Sequence, residues 1–218
     1  MFAGIDVGAE AIHCVVLDRS LAVAGAWLYG ADELDDLVLA LRGAAAIGVD
    51  APAAVSTMPH REDASLAGKF RVARCAEIAL GREYGWWVPW VAPAERPDRG
   101  WMATGLRVYE ALRVLGVPVL EVFPHAGFRS LRPDVRLPNK RTIAGVRARV
   151  DLLIARGVRA DDALMWSHDA LDALLGALVA FDYTRGAARR VGCGHDDSAI
   201  WLPAAPAAVP AVAPAAAP

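Results

Sequence analysis

The chain has 218 residues, 56% of them hydrophobic, with 23 basic and 25 acidic side chains for a formal net charge of −2. That length suits one α/β domain, or a domain with a tail, and leaves ample apolar material for a core, although alanine inflates the hydrophobic share. The charge excludes general electrostatic attachment of nucleic acid over the whole surface and leaves room only for a local basic face.

Residues 2–7 and 11–17 are apolar runs separated by Gly8-Ala9-Glu10, which reads as a hairpin. Residues 21–29 form a third strand. Residues 32–42 carry Leu34, Leu37, Val38 and Leu41 on one helical face, with Asp32 as N-cap and Gly43 as C-cap. A strand ending at Asp50, a loop over 51–64 and a helix over 65–83 follow. Residues 85–100 hold Trp86, Trp87, Pro89 and Trp90 and read as a long irregular loop. A helix over 101–115, closed by Gly116, leads into a strand ending at Glu121. A basic region follows, with a helix over 140–156. The final helix runs from about 169 to about 184, and residues 199–202 read as a short strand or anchoring segment. Beyond Pro203 only Pro, Ala and Val occur, which makes 203–218 a disordered tail on a domain of residues 1–202. Three meandering strands, then strand–helix–strand crossovers, place strands one, four and five parallel. The carboxyl ends of the parallel strands fall on one edge of the sheet, where ligands collect in open α/β folds.

Cys14, Cys75 and Cys193 are odd in number and widely spaced, so neither a disulfide framework nor a zinc spacing is read. Cys193-Gly194-His195 reads as a loop thiol beside a surface histidine. The repeated prolines after Ser198 rule out a membrane helix there, and the chain opens into a strand without a basic leader. A soluble, cytoplasmic protein is the expectation, with no membrane partner.

Four acids occupy chemically expensive places. Asp6 ends the first strand, Asp50 the fourth and Glu121 the fifth, while Asp172 sits inside the apolar stretch 170–179, with Asp169 one turn before it. A carboxylate in such surroundings is costly unless something positive pairs with it, and several converging acids point to a bound divalent cation. Each has an ordinary alternative. Asp6 and Asp50 suit turns, Glu121 suits a solvated edge strand, and Asp169 suits a helix N-terminus. The chemistry that needs them together is metal-assisted phosphodiester hydrolysis, with Mg²⁺ or Mn²⁺ as oxygen-preferring ions.

At these residues the chain resembles the RNase H-like superfamily and, more closely, the family called domain of unknown function 429, whose members are predicted nucleases. The resemblance rests on Gly4-Ile5-Asp6-Val7-Gly8, Ile47-Gly48-Val49-Asp50-Ala51-Pro52, Arg74-Cys75-Ala76-Glu77, Glu121-Val122-Phe123-Pro124, His168-Asp169-Ala170-Leu171-Asp172-Ala173, Lys140 with Gly145 and Arg149, and the closing Ile200-Trp201-Leu202-Pro203. It covers the chain up to about Pro203. It implies an α/β fold with a five-stranded mixed sheet of order 3-2-1-4-5 flanked by helices. It also implies metal ligands at Asp6, Asp50 and Asp172 or Asp169. Asp-x-x-Asp and the Glu121–Pro124 motif are similar to those of RuvC-type Holliday-junction resolvases.

Several further groups remain open on sequence. Arg74 suits a bidentate phosphate grip, or a surface ion pair with Glu77. Lys140 is a substrate-binding candidate, and the basic segment 129–159 either tracks a phosphate backbone or is a solvated helix face. Trp86, Trp87 and Trp90 stack unpaired bases or cover one end of the core. His125 and His168 move protons or simply pack. The leading expectation is a Mg²⁺- or Mn²⁺-dependent nuclease acting on DNA or RNA through Asp6, Asp50, Glu121, Asp169 and Asp172. The rivals are a phosphate- or nucleotide-binding ATPase-like relative, because Gly4–Gly8 is similar to a kinase phosphate loop, and a non-catalytic interaction module.

Overall fold

The computed structural model describes residues 1–159 and 167–205. A five-stranded sheet forms from β1 (Phe2–Val7), β2 (Ala11–Leu17), β3 (Val23–Gly30), β4 (Ala46–Asp50) and β5 (Val119–Glu121), in the order β3-β2-β1-β4-β5. β1, β2 and β3 form an antiparallel meander, and β4 and β5 run parallel to β1. These are the order and directions expected of an RNase H-like sheet.

Alternation along the strands divides the core. Ala3, Ile5 and Val7 of β1, with Ile47 and Val49 of β4, pack under α1 (Leu34–Ala40) and α3 (Trp101–Leu112). Val15 and Leu17 of β2 face the opposite layer, made by α4 (Pro124–Leu131), α5 (Ile143–Ala155) and α6 (His168–Thr184). A third cluster joins α2 (Cys75–Tyr84) to a two-stranded ribbon, β6 (Arg189–Val191) and β7 (Ile200–Leu202). Among the described residues no helix is long and apolar enough to cross a membrane.

Several boundaries differ from the sequence reading, each for a local reason. The helix expected over 65–83 starts only at Cys75. The Asp63 carboxylate accepts from the Ser65 amide at 2.9 Å, a local turn that competes with helix, and residues 68–70 make one 3₁₀ turn. Asp32 and Gly43 do not cap the first helix, whose flanking residues are Glu33 and Leu41. The helix expected over 140–156 begins at Ile143, because the Thr142 hydroxyl accepts from the Gly145 amide at 3.1 Å. α4 is a further helix within the region expected only to be basic, and it opens on Pro124, a residue favoured at the first helical position. Residues 200–202 are a strand because β6 supplies a partner.

The cysteine reading is corrected too. The Cys75 and Cys193 sulfurs lie in disulfide contact, with Cα atoms 5.2 Å apart across a sequence separation of 118. Cys14 is free and buried in the sheet. Most of the tail expected over 203–218 lies outside the described residues.

Candidate metal centre

The site begins with strand register. In the parallel β1–β4 pair, Gly4 lies opposite Gly48 and Asp6 opposite Asp50. Side chains two apart share a face, so both aspartates point to the side on which the paired glycines lie. That is the α6 side. A Cβ on Gly4 would fall on the Ala173 carbonyl group, and one on Gly48 would fall on the Gly176 carbonyl group. A Cβ on Gly176 would lie 3.0 Å from the Gly48 oxygen and 3.2 Å from the Gly4 Cα. Three glycines therefore let α6 lie backbone-to-backbone on the sheet. Asp172, four residues before Gly176 and on the same helix face, is delivered to the carboxyl ends of β1 and β4.

One carboxylate oxygen from each of Asp6, Asp50 and Asp172 lies within 4.8 Å of the other two. Asp172 is buried at 3% exposure, while Asp6 and Asp50 are partly exposed. Burial and then the charges of Asp172 and Asp169 push the Asp6 carboxyl up to about 7. Burial and then Asp6 and Asp172 raise Asp50 well above the usual carboxylate range. Burial raises Asp172 as well, although Lys140 opposes it. Lys140 Nζ lies 2.5 Å from Asp172 Oδ2 and is 39% exposed, so this lysine supplies a positive charge at the cluster while still facing the cleft. Clustered, desolvated oxygen ligands that repel one another suit a hard divalent cation, so these residues fit magnesium or manganese.

Asp6 also belongs to a second group of ligand atoms, with His13 and Asp169. His13 is the cross-strand partner of Asp6 in the β1–β2 hairpin. It was missed on sequence: counted outward from a three-residue turn, Asp6 would face Ile12, whereas the Gly8 amide bonds the Ala11 carbonyl and the two-residue turn Ala9-Glu10 sets His13 opposite Asp6. Asp169 forms a third group with His168 and Asp172, and His168 Nδ1 lies 2.5 Å from Asp169 Oδ1. The Ser167 hydroxyl caps α6, so Asp169 is a first-turn acid rather than the cap.

Glu121 and Arg74 are placed differently from the sequence expectation. Glu121 pairs in register with Val49, not with Asp50. That one-residue offset turns its side chain to the α3 side of the sheet, away from the three aspartates. There it receives the Arg74 guanidinium, at 2.7 Å to Oε2 and 2.5 Å to Oε1, and the Ala53 amide at 2.9 Å. Arg74 also bonds Glu77 at 2.9 Å and is only 2% exposed. Burial alone would lower the Arg74 pKa, but Glu121 and then Glu77 more than offset it. The guanidinium is thus consumed by two buried acids. It is neither a free phosphate grip nor a surface ion pair.

The aspartates line a cleft of about 1720 Å³. Trp87, Trp90 and Trp101 border it, with Arg136, Lys140 and Arg141 also in its wall. Trp86 is buried and stacks on Tyr84 with centroids 4.9 Å apart, so it covers the core. Trp90 is 68% exposed. His125 also borders the cleft, and burial followed by the Arg129 charge lowers its pKa.

Comparison with known proteins finds a family model over part of the chain and a distantly similar solved structure. Residues 94–196 match the family model described as "Protein of unknown function (DUF429)". The matched segment contains Glu121, Lys140, Asp169 and Asp172, while Asp6 and Asp50 precede it. No curated protein matches the chain. Among solved structures it is similar to one titled "Thermus thermophilus RuvC structure", at 18% identity and a TM-score of 0.42, covering 84% of this chain and 95% of that one. The family that the motifs resemble is thus the one whose model matches residues 94–196, a little under half of the chain.

Proposed function

We propose that the chain is a divalent-metal-dependent nuclease that hydrolyses phosphodiester bonds of DNA or RNA. The observation that carries this reading is the convergence of Asp6, Asp50 and Asp172 at the carboxyl edge of the sheet, at the base of a cleft with basic and aromatic walls. Asp6, Asp50 and Asp172 would hold one ion. Asp6 is shared with the Asp169 and His13 group, so Asp169 and His13 would hold a second ion bridged to the first site by Asp6. Bound Mg²⁺ or Mn²⁺ would supply an activated water and stabilisation of the leaving oxygen. The chain's own residues then have distinct tasks. Lys140 offsets Asp172 and offers its outer flank to a phosphate. The exposed face of Trp90 offers a stacking surface for an unpaired base. The Arg74–Glu121–Glu77 group fixes the start of α2 against the end of β5 and is assigned no substrate contact. A non-catalytic module has no need of three mutually repelling acids, one of them buried and two partly so, and this convergence disfavours that rival.

The test is cleavage of structured and single-stranded DNA and RNA by the purified full chain, with Mn²⁺, Mg²⁺ or chelator. Expected is metal-dependent cleavage that falls more than about 100-fold in Asp6→Asn or Asp50→Asn, since even outer-shell partners of a metal site cost 10–100-fold. Unchanged circular dichroism in both variants shows that the fold survives. Cleavage that persists undiminished in either variant rejects the site.

A further inference from the structure

A second group of metal-ligand side chains lies outside the acidic cleft. His60, Cys75, Cys193 and His195 come from three separate places in the chain, and each offers one ligand atom within 4.8 Å of the other three. Two of the chain's three cysteines and two of its five histidines thus meet at one spot. His60 sits in a turn within the irregular segment that precedes α2 and is buried. Cys75 is the first residue of α2 and fully buried. Cys193 and His195 flank Gly194 on the loop between β6 and β7, where a φ of +83° is a conformation that glycine adopts without penalty. Cys193 Sγ lies 3.4 Å from His60 Nε2 and 3.3 Å from His195 Nδ1. The two rings stand edge-to-face, 5.4 Å apart.

The surroundings are built for thiolate sulfur. The amides of Cys193 and His195 both point at Cys75 Sγ, at 2.8 and 3.4 Å. The start of a helix adds its own positive end there. The loop is fastened independently: Asp196 accepts from the Cys75 amide at 3.1 Å and the Ser198 hydroxyl from the Ala76 amide at 2.9 Å. A disulfide accounts for the two sulfurs but leaves the two convergent imidazoles without a task. Two cysteines and two histidines are a ligand set of structural zinc.

We propose that His60, Cys75, Cys193 and His195 form a structural Zn²⁺ site when the cysteine pair is reduced. Reduction by a dithiol transfers two electrons and two protons to the S–S bond, and the dithiol becomes a disulfide. Zn²⁺ then displaces the two thiol protons, leaving two thiolates and two neutral imidazoles as ligands. The ion ties the segment around His60, the first turn of α2 and the β6–β7 loop together. Arg74, next to Cys75, is steadied by the same tie. The site owes nothing to the hydrolytic reading, and Asp6→Asn serves as the control that separates the two.

The full chain, reduced anaerobically and stripped with chelator, is titrated with Co²⁺ alone and with Zn²⁺ alone. Expected are one tightly held equivalent of zinc, the visible bands of tetrahedral cobalt with a thiolate-to-cobalt charge-transfer band, and a rise in Tm on adding zinc. Asp6→Asn retains all three. His195→Ala and Cys193→Ser, both on the exposed loop, lose the tight equivalent and the Tm response. Reduced, folded protein that gives no thiolate–cobalt band overturns the proposal, as does a titration unchanged in His195→Ala. Either result leaves the pair as a disulfide only.

Discussion

Asp6 and Asp50 are register partners at the last rung of the parallel β1–β4 pair, and Gly4 and Gly48 are partners two residues earlier. The aspartates need strands close together, and neighbouring strands are separated by only about 4.8 Å. The glycines need a helix pressed onto the same face. One register meets both requirements, and a slip of β4 by a single residue would send Asp50 to the α3 side while Asp6 stayed behind.

The acidic cluster makes stability fall with pH in the absence of metal. Asp6 titrates near 7 in the folded chain against a usual value of 3.8. Between those values the Asp6 carboxyl is protonated in the folded state and ionised in the unfolded one, so its contribution to stability decreases as pH rises from about 4 to about 7 and levels off above. Urea midpoints measured in chelator across that window should show this decline, and Asp6→Asn should make it shallower and be the more stable protein at pH 8. A wild-type minus variant difference that does not change with pH contradicts the raised carboxyl.

Gly48→Ala should damage the site without touching a ligand. The added methyl would collide with the backbone of Gly176, which can move only if α6 lifts off the sheet. The expected cost is roughly 1–3 kcal/mol or more, with metal affinity lowered because Asp172 retreats. Mn²⁺ titration beside denaturant unfolding checks both parts. A variant that is destabilised yet binds Mn²⁺ at wild-type strength would show that the close approach does not position Asp172.

Arg74→Ala should act on stability rather than on substrate affinity. Removing the guanidinium strands Glu77 and Glu121, both buried, and breaking such a group costs roughly 3–5 kcal/mol. Lys at this position should not restore it, because one ammonium cannot bridge two carboxylates in the same plane. If chemical denaturation places Arg74→Ala within error of wild type while nucleic-acid binding falls, Arg74 belongs to the substrate site after all.

Trp90→Ala should weaken binding of single-stranded nucleic acid by roughly 1–3 kcal/mol, the usual worth of one base–aromatic stack, with little effect on Tm because the ring is already exposed. Fluorescence anisotropy with labelled oligonucleotides reads this directly. Equal affinity in the two proteins assigns Trp90 no part in binding.

Much of the fold was legible in residue order. Alternating apolar runs around Gly8 set the hairpin, crossovers set the parallel strands, and apolar strand endings at Asp6 and Asp50 marked the edge that carries the site. Asp172 stood out because an acid among leucines is expensive. The sequence also settled which residue types were at hand: oxygen ligands for a hard cation, and a few cysteines and histidines with no apparent link. Tertiary structure alone decided how they group. Pairing register is not written in any one segment, so only the assembled sheet shows that Glu121 aligns with Val49 and turns away to Arg74. Close contact between helix and strand depends on three glycines far apart in the chain, and only packing brings them onto one another. Cys75 and Cys193 are separated by 118 positions, and it takes the docking of the β6–β7 loop on α2 to make them neighbours of His60 and His195. Local composition governs local conformation; which distant side chains meet is set by the cooperative packing of the whole core.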